Sequence, residues 1–148
     1  MTKFPIRRSC DKDELKRLEY FKHIFQEYLG EGKVNEWIHC FNYPITQMTF
    51  DFRVSGARSL SSISVKENLG ISEVEGEVAV PKKRSKQVEK EINDIRSSGM
   101  WAGVTARPCT VTEKHEHFED THIHFVCKPL AYELDEVIKK LLEILANV

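Results

Sequence analysis

The chain has 148 residues, a length that fits one compact domain with a hydrophobic core of its own. Hydrophobic residues make up 41% of it and charged residues 30%, which is typical of a globular protein and excludes an intrinsically disordered one. With 22 basic and 23 acidic side chains the formal charge is −1, so no overall field directs the protein to nucleic acid or to a membrane surface.

The sequence also bears on location and redox state. No apolar run approaches the length of a membrane span, and the first residues lack the character of a signal peptide, so we expect no membrane partner. The cysteines are widely spaced and form no C-x-x-C pair; they are Cys10, Cys40, Cys109 and Cys127. This pattern predicts a cytoplasmic or otherwise intracellular protein with reduced thiols, with one disulfide as the alternative.

A short basic arm over residues 1–10, which we expect to be flexible, precedes the first helix. Asp11 and Glu14 have the spacing of a capping box, and apolar residues then recur every three or four positions until Gly30 ends the run. Apolar residues within 34–41 keep a helical spacing and predict one or two further turns of helix.

Three strands are predicted next. Residues 48–54 alternate apolar and polar side chains, which indicates a strand with one polar face. A weaker, serine-rich strand over 60–65 is expected to be mobile or to lie at a sheet edge. In residues 74–80, small or apolar residues alternate with glutamates until Pro81 ends the strand.

The second half of the chain begins with a basic segment, 82–86, that leads into a helix with a narrow apolar stripe. Residues 100–112 predict a strand, and the acidic, histidine-rich segment 113–120 predicts a solvated hairpin tip. A strand over 122–127 follows, and after Pro129 a last helix presents a broad apolar face.

These elements predict a single α+β domain over residues 1–148 with the order α-β-β-β-α-β-β-α. The simplest packing is a two-layer one, with a mainly antiparallel five-stranded sheet and the helices on one face. At this level the order is similar to that of the type III secretion chaperone family. That resemblance implies a non-catalytic homodimer that binds a protein or peptide partner.

One helix-covered face leaves the other face of the sheet open to solvent. His122 and His124 flank Ile123, and side chains two apart on a strand point the same way, so the two imidazoles share this face. If the apolar residues of each strand point at the helices, the open face displays Thr49, Asp51, Arg53, Arg107, His122 and His124.

Two imidazoles on one side of a strand can hold one divalent metal ion when a third donor is near. The candidates for that donor are Asp51, His115 and His117. A mixed histidine and carboxylate set suits Mn, Mg or Zn with positions left open to water. A small metal-binding protein unrelated to nucleic acid is one function that fits this pattern.

The run His122-Ile123-His124, followed by Phe125-Val126, resembles the His-hydrophobic-His motif of the HUH endonucleases, which include rolling-circle initiators and plasmid relaxases. The resemblance implies that His122 and His124 hold a divalent ion against a scissile phosphate of single-stranded DNA or RNA, with His115 or His117 as a third ligand. The segment 41–44 also resembles the first motif of the initiators.

In the HUH families a tyrosine attacks the phosphate. The candidates here are Tyr132, which follows the histidine pair, and Tyr20, which precedes it as in relaxases. Arg53 and Arg107 are the candidate substrate-binding residues. The sequence therefore leaves three functions open: a metal-dependent nuclease, a homodimeric interaction module, and a metal-binding protein of another kind.

Overall fold

The structure is a computed structural model, which describes residues 6–41, 45–68, 71–97 and 107–148 and the main chain of 100–101 and 104–105. Within these residues three α-helices form: α1 (Lys12–Leu29), α2 (Ser85–Asn93) and α3 (Leu134–Ala146). The strands are β1 (Arg7–Arg8), β2 (Asn35–Phe41), β3 (Ile45–Phe52), β4 (Ser61–Asn68), β5 (Ile71–Pro81), β6 (Met100–Trp101), β7 (Val104–Thr105), β8 (Cys109–His117) and β9 (Asp120–Cys127).

Seven of these strands form one sheet in the order β1-β2-β3-β4-β5-β9-β8, while β6 and β7 pair as a separate ribbon. Every pair of neighbours in the large sheet is antiparallel. The chain thus builds β1 to β5 in order and then inserts β9 between β5 and β8. This insertion makes β5 and β8 the two neighbours of the histidine-bearing strand β9.

The core lies between one face of the sheet and the helices. Along β9, Ile123, Phe125 and Cys127 are fully buried, whereas the intervening His122 and His124 are only partly buried. Helix α1 contacts β2 and β3, and α2 contacts β8 and β9. The alternation follows the two-residue period of a strand, so the histidines lie on the face that the helices leave open.

The first and last helices confirm the patterns that predicted them. The Asp11 carboxylate accepts a hydrogen bond from the Glu14 main-chain N–H at 2.8 Å, and the Asp11 N–H donates to the Glu14 carboxylate at 3.0 Å. These two bonds complete the capping box and satisfy two N–H groups of the α1 N-terminus. The apolar face of α3 is buried throughout; it consists of Leu134, Val137, Ile138, Leu141, Leu142 and Leu145.

The predicted five-stranded sheet and the order α-β-β-β-α-β-β-α are wrong. Of residues 34–41, predicted as helix, Asn35–Phe41 form β2, which pairs with β3 from Asn35↔Asp51 to Cys40↔Thr46. The apolar positions of this segment fit a helical period, but ladder hydrogen bonds and packing against β3 override that local preference. The protein is still an α+β protein, with more sheet than the pattern of single segments indicates.

Two further segments also form strand where the sequence predicted an arm or a turn. Arg7 and Arg8 of the predicted flexible arm pair with Phe41 and Cys40 of β2, while residues 1–5 lie outside the described residues. The predicted hairpin tip 113–120 is mostly strand, because β8 continues to His117 and leaves a two-residue turn. Alternating charged residues there are typical of a strand that is solvated along much of its length.

The serine-rich strand is central rather than at an edge, because β4 pairs with β3 on one side and with β5 on the other. Ile63 and Val65 are buried against the core, while Ser62 and Ser64 lie on the open face. Small polar side chains suit that face, since no helix covers it.

The cysteines are not reduced: Cys10 is bonded to Cys40 and Cys109 to Cys127. Sequence separations of 30 and 18 residues carry no signature of a bridge, but strand pairing places Cys109 directly opposite Cys127. In the described part of the chain, no helix is long and apolar enough to cross a membrane.

Candidate functional site: a histidine and glutamate cluster

The β8–β9 hairpin brings two histidines of the sequence-predicted set face to face. His115 on β8 lies directly opposite His122 on β9, and His117 lies opposite Asp120. Lys114, between the two β8 histidines, points to the helix side and pairs with Glu89 of α2 at 2.6 Å. His115 and His117 therefore point to the open face, as His122 does.

The rings of the three histidines are in contact. Those of His115 and His122 stack with centroids 5.1 Å apart and planes inclined by 14°. His117 meets His122 edge to face at 5.7 Å and 84°. At the turn, Phe118 has a positive φ of 55° and packs edge to face against His117 at 4.4 Å.

The neighbouring strand β5 adds a carboxylate to this group. An oxygen of Glu77, Oε1, lies 3.5 Å from His122 Nδ1 and 3.7 Å from His115 Nε2. Glu77, His115 and His122 each offer one ligand atom within 4.8 Å of the others. In a tetrahedral site with ligands about 2.0–2.1 Å from the ion, ligand atoms lie about 3.3–3.4 Å apart. The two distances to Glu77 are close to that spacing.

The sequence analysis missed Glu77, although a signal was present. The alternation in residues 74–80 places the glutamates on one face of the strand, opposite the valines. The sequence did not show that β5 lies beside β9, with Glu77 opposite His124. The connection between β5 and β9 comprises the 38 residues 82–119, so no local pattern reports the contact.

Burial divides the cluster into an inner and an outer part. The side chain of His122 is 16% exposed, whereas those of His115 and Glu77 are 54% and 50% exposed. Within the described residues, the buried Nε2 of His122 has no hydrogen-bond partner. His122 is thus the anchored member of the group, and the other two can adjust toward it.

His124 does not join the cluster, because both of its ring nitrogens are engaged elsewhere. Its Nε2–H donates to the Glu75 carboxylate at 3.0 Å, and its Nδ1 accepts from the Thr112 hydroxyl at 2.7 Å. Only this tautomer satisfies both bonds, since a carboxylate accepts and cannot donate. The two histidines of the predicted pair share a face but have separate partners.

The structure separates the remaining predicted site residues from the cluster. Asp51 shares the open face but lies three strands from His124, through Ser62 and Glu77, a distance of about 14 Å. Arg53 lines a groove with Tyr28, Leu29 and Leu145 on the helix side. Arg107 precedes β8, eight residues from His115 and roughly 25 Å away along an extended chain.

The candidate nucleophiles are also distant. Tyr20 lies on α1, on the opposite side of the sheet, and its hydroxyl donates to the Asp135 carboxylate at 2.6 Å. That hydrogen bond raises the pKa of Tyr20, which disfavours the phenolate. Tyr132 is 74% exposed in the turn before α3, next to Leu130, which bridges to Ile71 at the far end of β5.

Of the segment 41–44, predicted to match an initiator motif, residues 42–44 lie outside the described residues. Comparison with known proteins finds no match: no protein-family model, no curated protein sequence and no solved structure is detectably similar to this chain. The chemistry of the site therefore rests on the side chains themselves.

Proposed function

We propose that this protein binds one divalent transition-metal ion through Glu77, His115 and His122 on the open face of the sheet. The observation that carries the proposal is the convergence of the three ligand atoms within 4.8 Å of one another. The residues come from three adjacent strands, and the anchored His122 lies in the middle one.

The donor set favours zinc among the ions that the sequence suggested. Imidazole nitrogens suit Zn and its transition-metal neighbours, whereas Mg prefers an octahedron of oxygen atoms. Two histidines and one glutamate, with a further position for water, also form the ligand set of catalytic zinc sites. The ring of His117 touches that of His122, but His117 is not among the residues whose ligand atoms meet within 4.8 Å.

Metal uptake tests this proposal directly. Equilibrium dialysis of the wild-type chain against Zn²⁺, with metal counted by atomic emission, is expected to give one ion per chain. Glu77→Gln and His115→Ala are each expected to weaken binding by at least tenfold, because each removes one of three ligands. The matched control is Glu75→Gln, which makes the same change two residues away on the same face of β5. Equal uptake by Glu75→Gln and Glu77→Gln contradicts the proposal.

Phosphodiester cleavage of the HUH type remains a prediction from the sequence. Its support is the His122-Ile123-His124 motif beside a cluster that can take a metal ion. The test is incubation with end-labelled single-stranded DNA and Mn²⁺, followed by denaturing electrophoresis. Cleavage that is lost in both His122→Ala and His124→Ala, with a covalent adduct at Tyr20 or Tyr132, supports it. If the protein takes up metal but does not cleave DNA, the result supports a metal-binding protein that is not a nuclease.

A protein partner or a homodimer also remains a proposal. Ile71 and Leu130 are bridged to each other and are 71% and 58% exposed, an apolar pair that a partner would cover. Light scattering of Ile71→Ser against the wild type tests for a dimer at this end of the sheet. A cytoplasmic location stays a prediction from the sequence, whereas two disulfides are more typical of an oxidising compartment.

A further inference from the structure

Two buried polar atoms on β9 lack hydrogen-bond partners among the described residues: Nε2 of His122 and Oδ1 of Asp120. Asp120 is 1% exposed, although it is the first residue of the strand. Leaving a buried polar group unsatisfied costs about 1–3 kcal/mol, and more for a charged one. Such pairs of groups call for an explanation in a native structure.

The two residues are related by the geometry of the strand. Asp120 and His122 are two apart on β9, so their side chains leave the same face about 6.6 Å apart. Oδ1 of Asp120 accepts hydrogen bonds, and Nε2 of His122 carries a proton in one of the two neutral tautomers of the ring. No hydrogen bond joins Asp120 Oδ1 to His122 Nε2 directly, and one bridging water would satisfy both atoms.

Asp120 is held in place for such a role. Its second oxygen, Oδ2, accepts hydrogen bonds from the main-chain N–H groups of Arg58 at 2.8 Å and Ser59 at 2.9 Å. These bonds attach the loop between β3 and β4 to the start of β9 and fix the carboxylate. The oxygen that remains, Oδ1, is left to accept a hydrogen bond from the bridging water.

The tautomer of His122 decides whether the cluster can receive a metal ion. If Nδ1 carries the proton, it donates to Glu77 Oε1, and the lone pair that would bind the ion is lost. If Nε2 carries the proton, Nδ1 presents a lone pair toward Glu77 and His115, 3.5 Å from the carboxylate oxygen. Acceptors that face one another in this way are stabilised by a cation between them.

We propose that Asp120 is a positioning residue: through one bridging water, its carboxylate holds the proton of His122 on Nε2 and so selects the tautomer whose Nδ1 is a metal ligand. This inference rests on the proposed metal-binding function. Carboxylates that orient a ligating histidine in this way are common in metalloproteins, where their removal weakens metal affinity about 10–100-fold.

The test uses Asp120→Asn, which is isosteric and keeps an oxygen for the Arg58 and Ser59 N–H groups but places an NH₂ where Oδ1 stood. Long-range ¹H–¹⁵N spectra of the metal-free chain at pH 8.5 report the tautomer of each neutral histidine. We expect Nε2–H for His122 in the wild type and a shift toward Nδ1–H in the variant. Zn²⁺ affinity is expected to fall about 10–100-fold.

His124 is the internal control in the same spectra, because Glu75 and Thr112 fix its tautomer independently of Asp120. A wild-type His122 that is protonated on Nδ1 overturns the proposal without any variant, so the test survives if Asp120→Asn fails to fold. An unchanged His122 tautomer in a folded Asp120→Asn also overturns it. If Asp120→Asn shifts the His122 tautomer but the wild-type chain takes up no zinc, the proposed metal-binding function is contradicted. The effect of Asp120 on the His122 ring is then supported independently of metal binding.

Discussion

The imidazole ring of His115 stacks on that of His122 across the β8–β9 pair, with centroids 5.1 Å apart. Glu77 of β5 approaches both rings from the other side of β9. An ion bound by these three side chains would join three strands, in addition to the Cys109–Cys127 disulfide and the hydrogen bonds of His124. Metal binding and the stability of this end of the sheet should therefore be linked.

The first prediction follows from that linkage. A ligand that binds only the folded state stabilises it by about 2.7 kcal/mol at a hundredfold excess over its Kd, which corresponds to roughly 5–10 °C in Tm for a chain of this size. We expect Zn²⁺ to raise the Tm of the wild type and of Glu75→Gln by this amount, measured by circular dichroism. Glu77→Gln, which we expect to bind at least tenfold more weakly, should show at most about half of this shift at the same Zn²⁺ concentration. A shift equal to that of the wild type would place the ion elsewhere.

The sequence predicted elements whose signals are local. The capping box of Asp11 and Glu14 and the apolar faces of β3, β9 and α3 all depend on residues within a few positions of one another. The face carrying the histidines was predicted correctly for the same reason, because strand parity is a local property.

Features that depend on which strands become neighbours could not be predicted in this way. Glu77 and His122 are 45 positions apart, and Cys10 and Cys40 are 30 apart. The insertion of β9 between β5 and β8 brings the first pair together, and pairing of β1 with β2 brings the second. Asp51, one of the three candidates for the third donor, lies on the predicted face but three strands away, because strand parity does not show which strands are neighbours.

A second prediction concerns Gly76, which lies opposite Phe125 in the β5–β9 pair. A Cβ added at Gly76 would lie 2.7 Å from Cε1 and 3.1 Å from Cε2 of the fully buried Phe125 ring. Gly76→Ala should therefore destabilise the protein by about 1–3 kcal/mol through overpacking. Urea unfolding measures the change, and Phe125→Leu in the same chain should recover part of it, since the clash is with the ring.

The third prediction concerns the disulfides, which close segments of 30 and 18 residues. Cross-links over loops of this size stabilise a protein by about 3 kcal/mol each in the chain-entropy description. Thiol titration of the oxidised chain in denaturant should find no free thiol, and reduction should lower Tm well below that of the oxidised form. Four titratable thiols in the purified chain would support the reduced state that the sequence analysis predicted.

The last prediction uses Glu14, whose pKa is lowered to about 2 from an ordinary 4.5, chiefly by its hydrogen bonds from Arg8. Arg8 Nη1 and Nη2 donate to the two carboxylate oxygens at 2.7 and 2.8 Å, which ties β1 to the start of α1. A folded-state pKa below the unfolded value means that the ionised carboxylate stabilises the fold above about pH 4.5. That contribution is lost as the pH falls through about 2.

Glu14→Gln keeps an oxygen for the Asp11 N–H but removes the charge that Arg8 binds. We expect it to lower Tm by a few degrees at pH 7, with the difference from the wild type shrinking steadily below pH 4.5 and vanishing near pH 2. The matched control is Asp13→Asn, which removes an exposed charge from the same first turn of α1. A difference between Glu14→Gln and the wild type that stays constant from pH 7 to pH 2 would show that the Arg8 pair does not carry the stabilisation.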